Sequence, residues 1–410
     1  MQVISQTVPI KEDKEGSIIS PKGFLTDGVH AGLRYSKKDI GVIISEIPTN
    51  CAAVYTTSHF QAAPLKVTQE SIAVEKKLQA VVVNSACANA CTGEKGIKDA
   101  FQMRKWTADK FGLKEHYVAV ASTGVIGEYL PMDKIESGIE NLHPDRDSVH
   151  SNSFQTAILT TDIVMKNCCY STVIDGLTVM MGGAAKGSGM INPNMATMLG
   201  FITTDANIES EHLQAALAQV TETTFNQITV DGDTSTNDMV LVMANGLSGN
   251  QSLSPEHPEW DAFLQLLGKT CESLAKQIAK DGEGATKLIE VEVKGAASDL
   301  DARKVAKQIV GSNLVKTAVY GEDANWGRII GAIGQSDVCV NPNSVDIAIG
   351  PITMLKNSEP QMFSEEVASE YLRNHTIQIF VDLHQGDGIG MAWGCDLSYD
   401  YVKINASYRS

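Results

Sequence analysis

Apolar and polar positions change period several times along this chain, and each change marks an element. Short apolar runs at residues 41–45, 52–56 and 80–84, separated by Gly, Pro and Asn, predict strands. Helical spacing then takes over across residues 97–111, where Ile97, Phe101, Ala108 and Phe111 fall near one face and Asp99 and Lys105 fall elsewhere. Behind Pro131, the i, i+4, i+7 repeat of Ile135, Ile139 and Leu142 predicts a short helix opening near Asp133. Past residue 197 the pattern resets. Leu213, Leu217 and Val220 predict a helix, and residues 240–244 a buried strand. Trp260, Phe263, Leu267, Cys271, Leu274 and Ile278 predict a long amphipathic helix closed by Asp281-Gly282. Residues 289–293 alternate strictly, as a half-buried strand does. Two similar pieces, Leu159-Thr160-Thr161-Asp162 and Ile202-Thr203-Thr204-Asp205, read as paired strand ends. Helices come in clusters without regular βαβ alternation. The expected fold class is therefore α+β, a layered helix-sheet-sheet-helix sandwich rather than a doubly wound parallel sheet.

Composition narrows the partners. The 410 residues are 43% hydrophobic and 20% charged, ordinary globular values that argue against disorder. A net charge of −16 without a long basic run disfavours nucleic acid and anionic membrane surfaces, leaving small metabolites as the expected ligands. Residues 1–9 lack the basic start and apolar run of a signal peptide, and no segment approaches ~20 continuous apolar residues, so a cytoplasmic location is expected. The eight cysteines show no C-x-x-C pair or zinc-ligand spacing and are expected to be reduced thiols.

Chemistry concentrates in residues 186–199, Lys-Gly-Ser-Gly-Met-Ile-Asn-Pro-Asn-Met-Ala-Thr-Met-Leu. Ala196 stands directly before Thr197, behind a loop whose glycines and proline permit special backbone conformations. If the Thr197 hydroxyl attacks the Ala196 carbonyl and the bond breaks, Thr197 gains a free α-amino group and becomes nucleophile and base at once. Upstream, Ser122-Thr123-Gly124 follows an apolar strand, and a Thr-Gly pair there can aim a hydroxyl and an N–H at one oxyanion. Lys186 can hold an anionic group. The glycines of residues 182–189 lack the P-loop spacing, because no glycine directly precedes Lys186, so nucleotide binding is not expected. Residues 231–238 imitate a calcium loop but carry Thr236 at its sixth position and Val242 at its twelfth, which favours a polar turn network. No paired histidine spacing signals a metal. Each motif alone also has an ordinary reading: a loop residue, a turn after a strand, a surface lysine. Their co-occurrence is what points to acyl transfer.

Residues 186–199, together with Thr160-Thr161-Asp162, residues 228–238, Val315-Lys316-Thr317-Ala318 and Asn325-Trp326-Gly327-Arg328, closely resemble the ornithine acetyltransferases of arginine biosynthesis. The resemblance covers nearly the whole chain, from Pro21-Lys22-Gly23-Phe24 onward. It implies an autoprocessed, N-terminal-nucleophile-like enzyme with an α chain of residues 1–196 and a β chain of residues 197–410. It further implies Thr197 as self-processing nucleophile, Thr123 and Gly124 as the oxyanion pair, and Thr160, Lys186, Thr197, Glu283, Asn405 and Ser410 as substrate contacts. Acetyl would pass from N-acetylornithine to glutamate in a ping-pong cycle, with no metal or cofactor; acetyl-CoA enters as an alternative donor that no short motif encodes. Two α and two β chains are the implied assembly. An N-terminal-threonine amidase or aminopeptidase that gives its acyl group to water is the competing enzyme class, and a non-catalytic binding protein is the third reading. In two places the chain departs from the family pattern: Ala86 and Cys87 stand where Gly and Asn are usual, and Ala324 where Pro is common.

Overall fold

The computed structural model of the chain describes residues 9–192 and 198–407. Two compact units account for them: Met1–Gly187, Asn194–Thr221 and Thr234–Leu274 form the first, and Ser188–Pro193, Glu222–Asp233 and Ala275–Ser410 the second.

Among the described residues, the first unit is built on a nine-stranded sheet. From Lys11–Glu12 it runs through Lys166–Ile174, Leu177–Lys186, Leu199–Thr204, Met239–Ala244, Ile40–Tyr55 and Lys77–Cys87 to Val118–Val125, with Phe24–Val29 also paired to Ile40–Tyr55. Its strands are apolar on both faces because both faces are covered. Val81, Val83, Ala119 and Ala121 pack into one core with Phe154, Phe201, Leu241 and Met243. Val82, Ala80, Val118 and Val120 point the other way, into a second core with Met103, Ala108, Ile135 and Ile139 of the helices Gly93–Phe111 and Met132–Glu140. On the far half of the sheet, Ala184 joins the first core while its neighbour Gly183 abuts Leu274 and Thr270 of the helix Trp260–Lys280. Helices thus cover both faces of this sheet, and the mixed α+β class is as expected.

Three details differ from the sequence reading. Residues 41–45 and 52–55 belong to one strand, Ile40–Tyr55, which ends one residue before the expected Thr56 and whose pairing with Lys77–Cys87 shifts register between Ile44 and Thr49; an exposed Glu46-Ile47-Pro48 step absorbs the turn-like residues. The helix over residues 97–111 begins earlier, at Gly93, and its buried face is Gly96, Asp99, Ala100, Met103, Arg104, Thr107 and Ala108. Asp99 is buried because Lys95 one turn earlier pairs with it at 2.6 Å. Finally, Leu159-Thr160-Thr161-Asp162 follows the helix Ser148–Ile158 and is no strand end, whereas Ile202-Thr203-Thr204 does close a strand. Four matching letters carry no periodicity and cannot distinguish the two.

Among the described residues, the second unit has a seven-stranded sheet ordered Glu359–Pro360, Ile352–Lys356, Asp346–Ile349, Thr376–Asp382, Leu288–Ala296, Gly388–Cys395, Ile228–Thr229. Residues 289–293 keep the expected alternation: Ile289, Val291 and Val293 are buried against Val305 and Ile309 of the helix Asp299–Gly311, and Glu290 and Glu292 face away. Ser298 caps that helix by accepting from the Asp301 amide.

Candidate active site

In the first unit the strand Leu177–Lys186 ends on a buried charge. Lys186 is 8% exposed, and its ammonium donates to the Thr123 hydroxyl at 3.3 Å. A hydroxyl that accepts from an ammonium keeps its own proton to donate, so Thr123 is set up as a donor toward a third group. Its neighbour Gly124 has φ +132, and a Cβ there would lie 2.1 Å from the Ala86 carbonyl carbon. Only glycine fits. The parallel register sets Ser85 opposite Thr123 and Ala86 opposite Gly124. Ala86 itself has φ +100, a conformation natural to glycine and strained for alanine. The usual glycine of the resembled family at this position has its reason here.

Around Lys186 lie two acids pushed in opposite directions. Asp162, fully buried, accepts from Lys166 Nζ at 2.6 Å, from the Gly187 amide at 2.7 Å and from the Thr160 amide at 2.9 Å. Burial opposes its charge, yet the Lys186 and Lys166 ammonium groups and these hydrogen bonds hold its carboxyl well below the usual carboxylate range. Asp238 is also buried, and here burial wins: its carboxyl is raised well above the usual range against the pull of Ser235 and Lys186, and among the described residues Oδ2 has no hydrogen-bond partner. Paired titratable groups with diverging environments are a signature of acid-base sites. Thr160 is fixed from two sides, by Asp162 and by Arg34, whose guanidinium donates to the Thr160 carbonyl at 2.8 Å.

The second unit gathers a different set. The Glu283 amide donates to the Ser188 carbonyl at 2.9 Å, and the Asn405 carboxamide donates to Glu283 Oε2 at 2.8 Å. Gly189 lies against that carboxylate; a Cβ on it would come within 2.4 Å of Glu283 Cδ. Asp231 accepts from the Met190 and Ile191 amides at 2.6 and 2.9 Å, so the acidic loop read as a polar turn network binds backbone N–H groups.

Of the residues expected from the sequence, Thr123, Gly124, Lys186 and Thr160 lie in the first unit, with Lys186 linked to Thr123 directly and to Thr160 through the charge of Asp162. Glu283 and Asn405 meet in the second. Ala196, Thr197 and Ser410 lie outside the described residues. Sequence reasoning missed Asp162, Asp238 and Arg34 as parts of the site. Asp162 was within a quoted motif, and its spacing of four from Lys166 was the available signal.

The ArgJ family profile matches residues 25–410. The arginine biosynthesis bifunctional protein ArgJ of Geobacillus kaustophilus is 68% identical over 410 residues, covering 100% of both chains. Its counterpart from Halalkalibacterium halodurans is 61% identical over 411 residues, again with 100% of both covered. A crystal structure of the arginine biosynthesis bifunctional protein ArgJ from Bacillus halodurans matches with a TM-score of 0.51 at 66% identity, covering 52% of this chain and 100% of that one.

Proposed function

Because this chain belongs to the ArgJ family, we propose that it transfers acetyl from N-acetylornithine to glutamate through an acetyl ester on Thr197, after cutting itself at the Ala196-Thr197 bond. It is an acyltransferase of arginine biosynthesis. The observation that carries the mechanism is the Lys186 ammonium on the Thr123 hydroxyl at 3.3 Å, beside a glycine no other residue can replace.

In the proposed cycle the α-amine of Thr197 takes the proton from its own Oγ, which attacks the acetyl carbonyl carbon. The oxyanion accepts from the Thr123 hydroxyl and the Gly124 N–H, with the Lys186 ammonium supporting the developing negative charge. Collapse breaks the amide C–N bond, the proton passes to the departing amine, and ornithine leaves. Glutamate's amine then attacks the ester, Thr197 Oγ recovers a proton, and N-acetylglutamate forms. Thr160, Lys186, Glu283, Asn405 and Ser410 are the proposed substrate contacts. The word bifunctional in the relatives' names supports acetyl-CoA as a second donor. Self-cleavage gains support from length: residues 197–410 are 214 of the 410, the same 52% share that the solved Bacillus halodurans chain spans from end to end. We place the enzyme in the cytoplasm as two α and two β chains; among the described residues no helix is long and apolar enough to cross a membrane.

Initial rates of ornithine release at several glutamate concentrations test the reading. Parallel double-reciprocal lines are expected, and Thr197→Ala abolishes both cleavage and transfer. Ornithine and acetate released at one rate with or without glutamate would instead make the protein a hydrolase.

A further inference from the structure

We propose that Asn237 is a positioning residue that sets the oxyanion pair Thr123-Gly124 against the strand that follows Thr197; this rests on the acyl-transfer reading above. Asn237 is 5% exposed, and its Nδ2 donates to the Ser122 carbonyl at 2.8 Å and to the Ala88 carbonyl at 2.6 Å. Its Oδ1 accepts from the Thr236 hydroxyl at 2.6 Å. The orientation is fixed chemically, since a flipped amide would press its oxygen on two carbonyls. The Ser122 carbonyl belongs to the same peptide plane as the Thr123 N–H, so holding it holds the strand backbone that leads into Thr123 and Gly124.

The flanking residues show why this grip matters. Thr236 accepts through its carbonyl from the Ala62 amide at 2.9 Å, Asp238 from the Thr56 amide at 3.0 Å, and the Met239 amide donates to the Met198 carbonyl at 2.9 Å. Met239 then pairs in parallel register with Leu199. Within three residues the backbone is fastened to the residue directly after Thr197, and the side chain of Asn237 to the residue directly before Thr123. The segment is a short spacer between the proposed nucleophile and its oxyanion donors. Acyl transfer is sensitive to that separation, and a misplacement of about 1 Å can slow it about 10²-fold.

The test compares Asn237→Ala, Thr123→Ala and the double variant, with turnover counted per cleaved chain by intact mass, donor KM, and thermal unfolding of each. Asn237→Ala is expected to lower kcat about 10- to 100-fold while donor KM changes less than about twofold. In the Thr123→Ala background it lowers kcat by a smaller factor than in the wild type, because one of the two donors that Asn237 positions is already gone. Equal factors in both backgrounds, or a loss confined to KM, overturn the inference while leaving transfer intact. A wild-type protein that moves no acetyl overturns the acyl-transfer reading and the inference with it. Should Asn237→Ala not fold, Thr236→Val, which removes only the hydroxyl orienting the amide, is expected to lower kcat severalfold with donor KM unchanged; an unchanged kcat there overturns the proposal.

Discussion

The polar cluster at the end of the strand Leu177–Lys186 and the sheet-helix core of the second unit are both buried, yet they are built by opposite rules. Ile289, Val291, Val293, Val305 and Ile309 fill the latter with apolar side chains alone. In the former, Lys166, Lys186, Asp162 and Asp238 are buried as charged or acidic groups: Lys166 pairs with Asp162, Lys186 reaches the Thr123 hydroxyl, and burial raises the Asp238 carboxyl. A periodic core degrades gradually when one methyl group is removed, because its neighbours are interchangeable. A charge cluster fails abruptly, since each deletion strands what remains.

The contrast is testable from its strongest consequence downward. Asp162→Ala, which takes the carboxylate from beside Lys166 and Lys186, is expected to destabilise the protein by about 3–5 kcal/mol, measured by denaturant unfolding. Asp162 also sets a pH dependence. Its folded value lies below the unfolded value of about 3.9, so its contribution is present above that pH and is lost as acid protonates it; Asp162→Asn should flatten stability below pH ~4. Next, Thr123→Ala is expected to lower turnover roughly 10²- to 10³-fold with the fold intact, and an unchanged kcat removes Thr123 from the mechanism. On the apolar side, Ile309→Ala should cost about 2–4 kcal/mol of stability while turnover per folded molecule stays at the wild-type level; a lost kcat would erase the distinction between the two regions. The smallest effect is a gain. Ala86→Gly relieves the φ of +100 and should stabilise the protein by about 1 kcal/mol in the same unfolding measurement, and a loss would show that Ala86 is not strained.

The same contrast explains what was legible in the sequence. Residues 289–293 and the helix Trp260–Lys280 were readable because burial on one face imposes a period. The long strand Ile40–Tyr55 was read as two, since Pro48 and its neighbours look like a turn when the register shift beside them is unknown. Asp99 falls off the apolar face in the sequence pattern and is buried all the same, because its partner Lys95 is what permits burial. At the site, motif and resemblance drew attention to Lys186, Thr123 and Gly124, but the roles of Asp162 and Asn237 depend on groups far away in sequence. Asn237 reaches Ser122 across 115 positions, and Asp162 reaches the Gly187 amide across 25. No local pattern encodes such pairs.

The central claim is a covalent acetyl on Thr197, and intact mass spectrometry of the protein mixed with N-acetylornithine, without glutamate, tests it most directly. Two chains are predicted, the second beginning at Thr197 and heavier by one acetyl group that disappears when glutamate is added. A single uncleaved chain, or a cleaved chain that gains no mass from the donor, would contradict the account.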